Sequence, residues 1–157
     1  MFDNFLVRSD SLKNDIQDGK AVGFQFAVRI ADYRGCFLSL HNGYYVVCDG
    51  QEYGRECQTF EVNGKSPRTF GELKECVWEH WDYDDEAIVH IKKEGGLKPG
   101  FHELGLQQSI LMQYGYGLHD EEWVQNPPIP GGAESSGKSA GIFAYTLKLQ
   151  EGGTKND

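Results

Sequence analysis

No stretch of this 157-residue chain is apolar for long enough to suggest a membrane span, which needs roughly 20 consecutive apolar residues. The opening residues, MFDNFLVRSD, lack the basic stretch followed by an apolar run that marks a secretory signal, which sets the expectation of a cytoplasmic protein. Positive charge is scarce. Fifteen Lys and Arg against 24 Asp and Glu leave a formal net charge of −9, which argues against nucleic acid or an anionic membrane as partner. No pair among the four cysteines (Cys36, Cys48, Cys57, Cys76) is spaced C-x-x-C, so neither a zinc knuckle nor a redox pair is expected, and all four read as reduced, mostly core-filling thiols. No H-x-H pair occurs, as a cupin-type metal strand would need. His102-Glu103 is the nearest fragment, and His41, His80, His90, His102 and His119 read as surface or core-edge residues. There is no G-x-S-x-G and no Cys beside a His, so no nucleophile is indicated. The chain is therefore expected to carry no catalytic, cofactor-binding or metal-ligating residue of its own.

What is abundant points to strands. Aromatics make up 13% of the chain and glycine counts 20, a profile suited to turns and sheets. In Lys20–Leu40, Val22, Phe24, Phe26, Val28 and Ile30 alternate with Gly23, Gln25, Ala27, Arg29 and Ala31. Period two is the signature of a half-buried strand. Its outer face, small-sided at Gln25, Ala27, Arg29 and Ala31, would suit docking or plain solvent.

Further strands are expected at Phe2–Val7, Leu38–Leu40, the run after Asn42-Gly43, Cys57–Val62, Ala87–Lys93, Gln107–Tyr114 and Ala140–Leu149. In the last of these, Phe143, Tyr145, Leu147 and Leu149 share a face. SDSLKNDIQDGK reads as a polar connection. Asp18-Gly19, Asn42-Gly43, Asp49-Gly50, Asn63-Gly64, Gly95-Gly96 and Pro99-Gly100 are turn signals. Thr69-Phe70-Gly71-Glu72 has capping-box spacing and predicts one short helix near 70–75. The fold class is all-β: an antiparallel β-sandwich or jelly roll in one domain, residues 1–150, followed by a flexible tail, 151–157.

Residues 116–139 show no periodicity, and about two dozen structureless residues inside a compact domain are unusual. Gly132–Ser139 matches the phosphate-binding pattern G-x-x-x-x-G-K-[ST]. It is entered from Pro127-Pro128-Ile129-Pro130 and left by a strand-like run, the wrong flanks for a phosphate cradle, so no ATP binding is expected. Trp81–Glu86 carries four carboxylates without a calcium-loop turn and reads as a solvated acidic loop. Trp123 on a Pro-rich, semi-rigid arm has the character of a partner anchor.

The segments SLKNDIQDGKAVGFQFAVRI, YRGCFLSLHNGYYVVCDGQEY (Tyr33–Tyr53) and GGLKPGFHEL (Gly95–Leu104), with the Trp-rich middle between them, resemble the small β subunit of bacterial C-glycoside deglycosidases. The likeness runs to about Tyr114, and the last strand fits; the loop with the phosphate-binding pattern is not part of it. The resemblance implies a β-sandwich, non-catalytic, in a hetero-oligomer with a larger (β/α)8-barrel α subunit that holds a divalent metal, manganese. The complex would act as a carbon–carbon lyase, releasing the aglycone from 3-oxo C-glycosides such as oxidised flavonoid C-glucosides. The C3 ketone acidifies the C2 proton, a base removes it, the metal stabilises the enediolate, and the aglycone leaves C1 by elimination. Tyr33, Arg34, Trp123, Pro127 and Pro128 are the expected partner contacts. Two other readings stay open. A carbohydrate-binding module would stack sugars on Trp78, Trp81 or Trp123, and a cupin-like enzyme would carry its own metal.

Overall fold

The computed structural model describes residues 7–29, 36–82, 85–110 and 143–150. Eleven strands run through them: β1 (Lys13–Gln17), β2 (Lys20–Val28), β3 (Cys36–Phe37), β4 (His41–Cys48), β5 (Gln51–Tyr53), β6 (Gln58–Glu61), β7 (Arg68–Thr69), β8 (His80–Trp81), β9 (Ala87–Lys92), β10 (Phe101–Ile110) and β11 (Phe143–Lys148). Among the described residues the one α-helical turn, α1, is Phe70–Leu73. Every pairing is antiparallel. One sheet has the order β1-β2-β9-β6-β7, a second β11-β10-β4-β5, and a small third pairs β3 with β8.

The alternation of β2 orients its sheet as the sequence predicts: Phe24, Phe26 and Val28 are fully buried. The outer face is not a flat open surface, however. Ala27 is buried, its N–H donating to Ser11 Oγ and its carbonyl accepting from Arg8 N–H, because the chain around Val7–Leu12 lies across it. Inward residues of the two large sheets meet face to face, with Phe24 edge-on to Tyr53 at 5.4 Å and Tyr44 against Phe60 at 6.3 Å. This is the expected sandwich-like layering.

Local chemistry fixes several turns. Asp18-Gly19 (φ 53° and 76°) and Asp49-Gly50 (φ 52° and 85°) place both residues in the left-handed region, as two-residue hairpin loops require. The first hairpin makes the polar run KNDIQ an edge strand, β1, where a connection was expected. Asn42-Gly43, expected to turn, lies inside β4. Ser109 faces Gly43 and Ile110 faces His41, so Asn42 is the extra residue of a bulge and Gly43 takes φ 101°. Leu38–Leu40 is a 3-10 turn and not a strand. The β10 strand begins at Phe101, earlier than its apolar pattern indicates. The capping box forms as predicted: Glu72 N–H donates to Thr69 Oγ1 at 3.1 Å, and Thr69 N–H to Glu72 Oε1 at 2.8 Å.

Two polar devices brace the core. Gln58 is buried and acts as a surrogate strand for Tyr44, accepting from its N–H at 3.2 Å and donating to its carbonyl at 2.7 Å; a second donation reaches the Tyr53 carbonyl at 3.1 Å. Without it, the edge of β4 would leave buried backbone groups unsatisfied. Arg68 meets Glu79 through two hydrogen bonds of 2.9 Å, tying β7 to the segment before β8. The Arg68 bond outweighs burial and, with Asn63 and Lys65, holds the Glu79 carboxyl at about 2.

Candidate functional site

Register builds a groove on the outer face of the five-stranded sheet. Lys13 pairs with Gln25, Gln25 with His90, His90 with Thr59, and Thr59 with Thr69. Directly paired residues point the same way, so five strands contribute one polar row. The row forms the floor of an open groove of about 720 Å³. A neighbouring position must be glycine: a Cβ on Gly23 would lie 2.1 Å from the Ile91 carbonyl oxygen.

His90 is the centre of this row. Its Nδ1 lies 2.8 Å from Asp15 Oδ2 and its Nε2 2.7 Å from Glu61 Oε1. Carboxylates only accept, so both ring nitrogens are satisfied as donors only in the imidazolium. Burial pulls the His90 pKa down, but the hydrogen bonds and charges of Asp15 and Glu61 outweigh it and leave it raised above 6.5. Proton sharing of this kind suits binding and positioning. Both ring nitrogens are taken up in hydrogen bonds to carboxylates.

The sign of the pH dependence follows. A histidine with a raised folded pKa contributes stability that is full below its unfolded value, near 6.5, and is lost as pH rises through the folded value. Wild type should therefore exceed His90→Gln by about 1–2 kcal/mol at pH 6, a gap that shrinks toward pH 9. Urea unfolding of both proteins across that range measures it. A gap that widens with pH would contradict the imidazolium assignment.

The histidines divide otherwise than expected. His41 is fully buried, in the core and not at its edge. It stacks on Trp81 at 5.7 Å and lies edge-on to Tyr44, Phe60 and Phe70 at 4.8–5.0 Å. Its Nδ1 accepts from Gly43 N–H at 3.1 Å, which ties the ring to the β4 bulge.

Of the three tryptophans proposed for sugar stacking, Trp81 is a core residue with no exposed surface, which corrects that expectation. Trp78 is 88% exposed beside a half-exposed Val77. Trp123 lies outside the described residues, as do Tyr33, Arg34, Pro127, Pro128 and the loop 116–139. Among the described residues that line the groove over His90 there is no Phe, Tyr or Trp to serve as a platform for sugar stacking. Sequence reasoning passed over His90 because Asp15 and Glu61 are 75 and 29 residues away. The available signal was the alternation of β9, where buried Val89 and Ile91 turn His90 outward.

No helix among the described residues is long and apolar enough to cross a membrane. Residues 2–114 match the family model for the C-glycoside deglycosidase beta subunit. The chain is similar to the C-glycoside deglycosidase beta subunit of Eubacterium cellulosolvens, with 34% identity over 87 residues, 55% of this chain and 58% of that protein. It thus spans a little over half the length of the curated relative it matches. The matched residues include the Gly23 crossing, the β4 bulge, Gln58 and the His90 row. The all-β structure and the match over most of its length place this chain in the C-glycoside deglycosidase beta subunit family.

Proposed function

We propose that this chain is the small, non-catalytic subunit of a heteromeric C-glycoside deglycosidase. The match over residues 2–114 carries this reading. The larger subunit is a (β/α)8 barrel that holds the divalent metal, manganese, and performs the carbon–carbon bond cleavage on 3-oxo C-glycosides, including those of flavonoids. Bound there, the metal would supply Lewis-acid stabilisation of the negative charge that develops on the sugar. The present chain supplies a rigid sheet scaffold and a docking surface. That surface comprises Tyr33, Arg34, Trp123, Pro127 and Pro128, to which we add Trp78 because its exposure suits an aromatic anchor.

The defining experiment compares the chain alone with the chain plus the larger subunit. Offered a 3-oxo C-glucoside and manganese, the isolated chain is expected to release no aglycone, and the reconstituted complex to release it. Turnover by the isolated chain would overturn the subunit reading.

A further inference from the structure

A second cluster lies away from the groove, at one end of the four-stranded sheet. Cys48 ends β4, Asp49 begins the turn into β5, and His102 is the second residue of β10. Their ligating atoms all lie within 4.8 Å of one another. Asp49 and His102 are each braced from behind. Asp49 Oδ1 accepts from Glu103 N–H at 2.9 Å, which leaves Oδ2 facing His102 Nδ1 at 2.6 Å and Cys48 Sγ at 4.0 Å. On the far side of the ring, His102 Nε2 lies 2.6 Å from the Lys98 carbonyl oxygen. A carbonyl only accepts, so Nε2 carries a hydrogen. Metal-binding imidazoles are oriented in the same way, by a backbone carbonyl on the nitrogen that does not bind.

The consequence is chemical. In the neutral ring, the Nδ1 lone pair then points at a carboxylate oxygen 2.6 Å away. At 2.6 Å the cation between them is a proton, in an imidazolium–carboxylate pair, and a metal ion binding here takes that proton's place. The buried Cys48 sulfur is the third electron-pair donor at the same point.

We propose that Cys48, Asp49 and His102 bind one divalent cation of borderline softness, zinc by donor set, with a fourth position open to water. A thiolate, an imidazole and a carboxylate together suit zinc and disfavour magnesium, calcium or manganese. Ligand atoms on one zinc sit roughly 3.3–3.8 Å apart, given bonds of about 2.0–2.3 Å. Reaching that geometry parts Nδ1 from Oδ2, now 2.6 Å apart, by at least about 0.7 Å and draws Sγ toward Oδ2 from 4.0 Å. The open position faces solvent on the side of Asp49, which is 46% exposed. The thiolate is the ligand form, so binding through sulfur releases the Cys48 thiol proton to solvent. Sequence spacing conceals this set, since Asp49 and His102 are 53 residues apart, and the chain was expected to hold no metal.

The test uses the full chain, stripped with a chelator and titrated with cobalt(II), then zinc(II). One equivalent of cobalt should produce a thiolate-to-metal charge-transfer band in the near ultraviolet, which zinc abolishes by displacement. Cys48→Ser should lose the band, and His102→Gln should bind zinc at least about 100-fold more weakly. Asp49→Asn suits the left-handed turn as well as Asp does and guards against misfolding. It should keep the wild-type fold without metal by circular dichroism, yet bind zinc at least about 10-fold more weakly. Absence of the band in wild type, its survival in Cys48→Ser, or unchanged zinc affinity in Asp49→Asn would overturn the proposal.

Discussion

Trp81→Ala is expected to destabilise the protein by about 3–5 kcal/mol, the usual range for deleting a buried aromatic. For a domain of this size that is a fall in Tm of roughly 6–20 °C. The indole has no exposed surface. It stacks parallel to His41 at 5.7 Å, meets Phe60 edge-on at 5.0 Å, and its Nε1–H donates to the Asp85 carbonyl at 2.9 Å. Removing it opens a cavity where the small β3–β8 sheet joins the core, and takes one ring contact each from His41 and Phe60. Trp81→Phe retains most of the volume and loses the hydrogen bond, so its cost should be about 1–2 kcal/mol. Thermal and urea melts of both variants measure the difference. A Trp81→Ala protein that melts like wild type would show that the core does not depend on this ring.

Trp78→Ala should do the opposite. With 88% of its surface exposed, Trp78 contributes little to its own fold, and the variant should melt within about 1 °C of wild type. If Trp78 anchors the larger subunit, its loss should weaken the complex by about 2–4 kcal/mol, or roughly 30- to 1,000-fold in affinity. Val77 beside it is 51% exposed and extends the apolar patch. Titration calorimetry of each variant against the larger subunit gives the number. An unchanged affinity would remove Trp78 from the interface and leave Trp123, Tyr33 and Arg34 as the anchors to test in the same way. The two tryptophans are three positions apart in one segment, so the pair separates a folding role from a binding role with little change of context.

The sequence by itself determined those features whose causes are local. Val22 to Val28 alternate, so Phe24, Phe26 and Val28 had to share a buried face. Asp18-Gly19 and Asp49-Gly50 tolerate left-handed backbone, so the chain reversed there. Thr69 and Glu72 stand at the spacing at which each satisfies the other's backbone donor, so α1 began where it did. Family membership was legible too, because the motifs of Tyr33–Tyr53 and Gly95–Leu104 lie in the chain as linear strings.

Tertiary structure decided what depended on partners distant in sequence. Asn42-Gly43 has the composition of a turn, yet β10 pairs along β4 past it and converts it to a bulge. KNDIQ has no apolar alternation, and pairing with β2 alone makes it a strand. Nothing in VWEHW distinguishes its two tryptophans; the pairing of β8 with β3 turns Trp81 into the core, while Trp78 precedes the strand and stays outside. His90 gains Asp15 and Glu61, and His102 gains Asp49, only through strand order and register across the sheets. Side-chain chemistry of that kind is set by which strands become neighbours, and that depends on how the whole chain buries its apolar faces.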